Sequence, residues 1–211
     1  MEFYIFGSLL RGEVTSTSDV DVLAIPILDN LALDLPPSWS IYSTDHIKKL
    51  YGAGKLFAWH LFYESKCVFT SNPTPYLVSL GKPAPYIDSL VDIQELGGLL
   101  SESIGALRSG TVSSVYELGL VYTCLRDISI SASWHFFERP NFSQFVPYLM
   151  PISFPISRSD YNYLMMARHS STRGTEIDSE RTGEVVARLL SANTDKWVDA
   201  LKEKVSEHIR R

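Results

Sequence analysis

The run YIFGSLLRGEVTSTSDVDVLAI, residues 4 to 25, packs an apolar strand, a Gly-Ser turn, a polar loop and two alternating aspartates into one short stretch. Aromatic and β-branched residues predict strands over residues 2 to 6 and 18 to 27. Side chains alternate faces along a strand, so Asp19 and Asp21 share one side while Val20 and Val22 take the other. Two carboxylates about 7 Å apart on one face repel each other unless water or a cation neutralises them. Mg²⁺, or Mn²⁺ in its place, suits that position: it takes hard oxygen ligands, commonly one or two carboxylates plus substrate phosphates.

The residues before the pair supply the elements of a phosphate site. Gly7 has no Cβ, so the backbone there can approach a ligand closely. Ser8 offers a hydroxyl and a backbone N–H at the start of a short helical run, SLLRG, where an anion is favoured. Arg11, one turn later, either lies against the same polyphosphate or pins the loop that follows. The competing reading of these residues is a plain turn and an edge strand whose polar face meets solvent.

FGS at 6 to 8, ten intervening residues and DVD at 19 to 21 resemble the signature of the nucleotidyltransferase superfamily related to DNA polymerase β. The longer form, GSLLRGE followed by TSDVDVLAI, looks most like the minimal nucleotidyltransferases. The resemblance implies that Gly7 and Ser8 hold the triphosphate, and Arg11 is the further candidate beside them. It implies that Asp19 and Asp21 are the catalytic pair that holds two divalent ions. The implied reaction moves a nucleoside monophosphate, AMP being the first expectation, from a nucleoside triphosphate to a hydroxyl on a small molecule or protein, with loss of pyrophosphate.

The family usually adds a third carboxylate on a later strand. The matching segment here is WSIYS, residues 39 to 43, where Ser38, Ser40 and Ser43 stand in or beside the strand and no acid does. Asp45 and Glu64 are the nearest candidates for a catalytic substitute, against the reading that both are surface residues or helix caps. Minimal nucleotidyltransferases also carry a helix before the first strand, whereas this sequence opens on the strand. A helix from the second half, or the second subunit of a homodimer, is expected to cover that part of the sheet.

Over its 211 residues the chain is 45% hydrophobic and 20% charged, ordinary values for a globular protein. A net charge of −5 argues against an extended nucleic-acid partner, because a phosphate backbone calls for clustered Lys and Arg. No apolar run reaches the ~20 residues that span a bilayer, and MEFYIFGSLL lacks the basic flank of a signal peptide. The expectation is a cytoplasmic protein with no membrane partner. Cys67 and Cys124 lack metal-ligand spacing and read as buried thiols.

After residue 43, STDHIKKLYGAG reads as a capped helix stopped by glycines, and KLFAWHLFYESKCVF as a helix leading to a strand at 67 to 69. Four prolines within residues 71 to 85 place a linker at 73 to 83. The expected architecture is an α/β (α+β) domain over 1 to 72 with a small mixed sheet, followed by an all-α bundle over 84 to 211. In the bundle, Leu118, Val121, Leu125 and Ile128 fall on one helix face, and Trp197, Leu201, Val205 and Ile209 on another. This layout resembles that of aminoglycoside nucleotidyltransferases such as the kanamycin enzyme. It also resembles HEPN bundles, although neither RDISISASWH nor ARHSSTR supplies the Arg and His spacing of a HEPN ribonuclease. The alternative to an enzyme is a regulatory or antitoxin-type module of the same fold that binds a partner protein.

Overall fold

The computed structural model describes residues 1–13, 20–26 and 35–210. Asp19, with the first residues of the expected 18–27 strand, lies outside them. The chain divides into two compact units, Met1–Asp88 and Ser89–Arg211.

Unit 1 is built on a four-stranded mixed sheet in the order β3-β2-β1-β4, with β1 Glu2–Phe6, β2 Asp21–Ile25, β3 Ser40–Ile41 and β4 Ser65–Thr70. β1 is central and antiparallel to both β2 and β4, while β3 runs parallel to β2. The alternation of EFYIF explains the placement: Glu2, Tyr4 and Phe6 are buried and Phe3 and Ile5 are half-buried on the other face. Tyr4, Phe6, Leu23 and Ile25 form a core with Ile47 and Tyr51 of α2 (Thr44–Gly52), and with Ala58 and Leu61 of α3 (Leu56–Glu64). Fully burying one such aliphatic side chain contributes about 1.5–3 kcal/mol. α2 starts where expected, with the Ser43 hydroxyl accepting from the His46 amide at 3.2 Å.

Three details depart from the sequence reading. β4 follows α3 without a loop and begins at Ser65, because the C-cap of α3 is already extended. The proline-rich stretch carries a short helix, α4 (Tyr76–Leu80), with Pro75 at its N-cap and Leu77 in the unit 1 core. Proline fits that cap, and the helix's leading amides are taken up from outside: Tyr76 N–H donates to Glu2 Oε2 at 2.7 Å and Leu77 N–H to Tyr4 Oη at 3.1 Å. Cys67 is only half-buried because β4 is an edge strand, whereas Cys124 is fully buried and its thiol is pushed up to about 12 by that burial.

Unit 2 is all-helical in its regular elements: α5 (Ser89–Arg108), α6 (Ser114–Phe136), a 3-10 turn (Val146–Leu149), α7 (Arg158–Arg173), α8 (Ser179–Ser191) and α9 (Thr194–Ile209). α6 is the central helix. Beyond the expected stripe it also buries Tyr122, Cys124, Ile130 and Ala132, so a single apolar face understates it. A Cβ at Gly119 would stand 2.9 Å from Arg168 Cα, so glycine permits the close approach of α6 and α7. On α9 Trp197, Leu201 and Val205 are buried as expected, but Ile209, in the last turn, is about half exposed.

Candidate functional site

Of the predicted phosphate and carboxylate residues, Gly7, Ser8, Arg11, Asp21 and Glu64 are gathered at one end of the unit 1 sheet. β1 ends at Phe6, which pairs with Asp21 at the start of β2 and with Ser65 at the start of β4. Gly7 then turns the chain at φ 76 and ψ −140, a backbone open to glycine and strained for other residues. α1 (Ser8–Arg11) makes a single turn and Gly12 closes it in the left-handed conformation. The Glu13 amide donates back to Ser8 O at 3.0 Å, so the segment from Gly7 to Glu13 is a compact loop.

Asp21 extends the row of Leu23 and Ile25 past the edge of the core and is exposed. Its carboxylate lies directly over Gly7: a Cβ there would be 2.7 Å from Asp21 Oδ2. The two halves of the motif therefore meet, and they meet because the position has no side chain. Ser8 is half-buried beside them.

Glu64 closes the other side. Its backbone carbonyl accepts from the Gly7 amide at 3.2 Å. Its Oε2 receives Arg11 Nη1 and lies 3.1 Å from His60 Nε2, one helical turn back on α3. Arg11 Nε also pairs with Glu13 Oε2 at 3.0 Å, which holds it to the residue that follows Gly12. Burial raises the Glu64 carboxyl, but the His60 hydrogen bond and the Arg11 charge outweigh it and hold it below the ordinary carboxylate value. His60 packs edge-to-face on Phe6 with ring centroids 5.6 Å apart.

Asp45 is not brought to this end. β3 runs parallel to β2, so Ser40 stands beside Leu23, Ile41 beside Ala24, and the chain leaves the sheet away from Asp21. Asp45 lies in the first turn of α2, next to Thr44, whose carbonyl accepts from Tyr76 Oη at 2.9 Å. Since the Tyr76 amide donates to Glu2, Asp45 belongs to the opposite end of the sheet. Ser40 takes the place on β3 nearest Asp21 and, as the neighbour of Leu23, shares its face.

The arrangement brings together the exposed Asp21 carboxylate, the Gly7 turn and the partly buried Arg11 guanidinium. Asp21 is a hard oxygen donor and fits a Mg²⁺ ligand; Asp19, its expected partner, lies outside the described residues. Among the described residues no group of three or more His, Cys, Asp and Glu side chains is placed to hold a metal ion. Comparison with protein-family models, with curated proteins and with solved structures gives no match. Among the described residues no helix is long and apolar enough to cross a membrane.

Sequence reasoning did not give His60 or Glu13 a role at this site. The signal for His60 was present in its i,i+4 spacing from Glu64 on a helix. Two clefts lie within unit 2, of about 330 Å³ beside Asp160, Leu164 and Arg188 and about 370 Å³ beside Gly97, Gly98 and Asp195; neither contains a predicted site residue.

Proposed function

We propose that unit 1 binds a nucleoside triphosphate with Mg²⁺ and transfers the nucleoside monophosphate to a hydroxyl of a small molecule or protein. The observation that carries this reading is the Asp21 carboxylate seated over the bare Cα of Gly7. A strand-end glycine beneath a carboxylate lets a phosphate come close to the backbone beside a hard oxygen donor that suits Mg²⁺.

Electrostatics supports the metal. Among the described residues, Asp21, Glu13 and Glu64 set three carboxylates against the guanidinium of Arg11. A triphosphate would be repelled from such a site unless a cation offset the charge. Asp21, together with Asp19 of the sequence motif, would hold the Mg²⁺, which would supply neutralisation of the phosphate charge. Gly7 admits the phosphate, the Ser8 hydroxyl and Arg11 donate to it, and the acceptor oxygen bonds to the α-phosphorus as the bond to pyrophosphate breaks, its proton passing to water.

The test is calorimetric titration of each nucleoside triphosphate with Mg²⁺ into the native chain and into Asp21→Asn. Metal-dependent binding lost in the variant, with the melting temperature unchanged, supports the reading. Absence of binding to every nucleotide by the native chain rejects it.

A second reading, a regulatory or antitoxin-type module that binds nucleotide without transferring it and serves a partner protein, is favoured by one group of observations. Glu64 is tied to Arg11 and His60, Asp45 lies at the far end, and Ser40 stands nearest Asp21 on β3. Nucleotide binding without pyrophosphate release in the presence of hydroxyl acceptors, together with stoichiometric capture of one defined partner, would favour it over the enzyme.

A further inference from the structure

Glu64 controls both ends of the α1 turn. Its backbone carbonyl holds the Gly7 amide at 3.2 Å, and its side chain holds the Arg11 guanidinium. Arg11 is gripped on two of its nitrogens, Nη1 by Glu64 and Nε by Glu13, while Nη2 takes part in neither ion pair. A planar guanidinium fixed at two corners cannot swing, so the direction of the third is set in advance. The Arg11 and Glu64 side chains are only 18% and 14% exposed, which shields the pair from screening by water and salt. His60 completes the chain of contacts: its Nε2 meets the same Glu64 Oε2, and its ring is held against Phe6.

We propose that Glu64 and His60 are positioning residues for Arg11: they hold its guanidinium so that Nη2 is presented to the phosphate of the bound nucleotide. The proposal deepens the nucleotide reading above and rests on it. It also gives Glu64 a task other than that of the missing third carboxylate. Both contacts of its side chain fall on Oε2, and the Arg11 guanidinium neutralises it, whereas a metal-holding acid would need its charge for the cation. His60 acts through Glu64, and Glu64 acts through Arg11.

The test uses the full chain and two probes, Mg·ATP and Mg·tripolyphosphate, titrated into the native protein, Arg11→Ala, Glu64→Gln and the double variant, each checked by thermal melting. Arg11→Ala and Glu64→Gln should each weaken both probes about tenfold, the loss of one charged phosphate contact. The double variant should bind no more weakly than Arg11→Ala alone, because the two residues act as one unit. His60→Gln, which keeps a donor for Glu64, should bind close to the native chain; His60→Leu should follow Glu64→Gln. Additive losses in the double variant, or native affinity in Glu64→Gln, overturn the positioning role while leaving the nucleotide reading intact. If Glu64→Gln does not fold, the His60 pair decides: equal affinity in both overturns the proposal. A native chain that binds neither probe overturns the nucleotide reading, and the positioning role with it.

Discussion

At one end of β1, Glu2 is fully buried and accepts from Tyr4 Oη, from Thr70 Oγ1 at 2.9 Å, from Asn72 Nδ2 at 3.2 Å and from the Tyr76 amide; at the other, Asp21 stands exposed opposite Phe6. Both are acids on the same face of one sheet. The first is surrounded by donors that belong to the fold, and it joins β1 to β4 and to α4. The second is left at the surface over a glycine. A buried charge persists only where its hydrogen bonds are complete, so the donors around Glu2 identify a structural acid. Asp21 differs in being exposed and in lying against a position that tolerates no side chain.

Breaking the Glu2 end should give the largest effect. Glu2→Ala strips the partner from the buried Tyr4 hydroxyl and from the leading amide of α4, at about 1–3 kcal/mol for each unsatisfied group. The loss should appear in hydrogen exchange at β1 and α4 amides, and native-like protection there would contradict the structural assignment. Acid should do the same to the native chain. Burial raises the Glu2 carboxyl, but the Tyr4, Tyr76, Thr70 and Asn72 hydrogen bonds together hold it below its ordinary 4.5. A carboxyl depressed in the folded state binds fewer protons there than in the unfolded chain, so its stabilisation is complete above about pH 4.5 and is lost as pH falls through the folded value. Glu64, depressed in the same sense, adds to that acid limb. Glu2→Gln should flatten it; an unchanged pH profile would remove Glu2 from the account.

At the Gly7 end the comparison sharpens through a pair of glycines. Gly7→Ala combines a backbone at φ 76 and ψ −140, a region left almost wholly to glycine, with a Cβ 2.7 Å from Asp21 Oδ2, while Gly12→Ala, left-handed at φ 71, meets nothing within 4 Å. Strain alone costs about 1–2 kcal/mol. Both variants should therefore lose roughly that much stability, and only Gly7→Ala should abolish Mg·ATP binding. Equal binding by the two would mean that the approach of Asp21 to Gly7 carries no function.

How far the sequence revealed this arrangement depended on whether a feature was local. The β1 alternation, the Ser43 cap of α2 and the meeting of Gly7 with Asp21 follow from short-range pattern, since period-two burial and a strand-end glycine leave marks in a few adjacent residues. α4 left no such mark. Its leading amides are satisfied by Glu2 and Tyr4, more than seventy residues earlier, and four surrounding prolines spoke against a helix. The place of Asp45 was equally hidden, because it turns on β3 running parallel to β2, and register and direction are set by pairing rather than by composition. Glu64 was visible as an acid near the end of a helix, but its engagement by Arg11 joins residues 53 positions apart.

Asp45 supplies the finest test, because here a small effect is the informative one. In the first turn of α2 its carboxylate faces the positive end of the helix, so Asp45→Asn should cost only about 0.3–1 kcal/mol. Nothing joins it to Gly7: the β3 direction and the Thr44–Tyr76–Glu2 contacts carry it to the opposite end of the sheet. Affinity for Mg·ATP, and any pyrophosphate release, should therefore match the native chain. A tenfold loss of either with stability intact would return Asp45 to the role of third carboxylate. That result would require β3 and α2 to reach the Asp21 end in the working protein, a rearrangement of strand pairing rather than a side-chain adjustment.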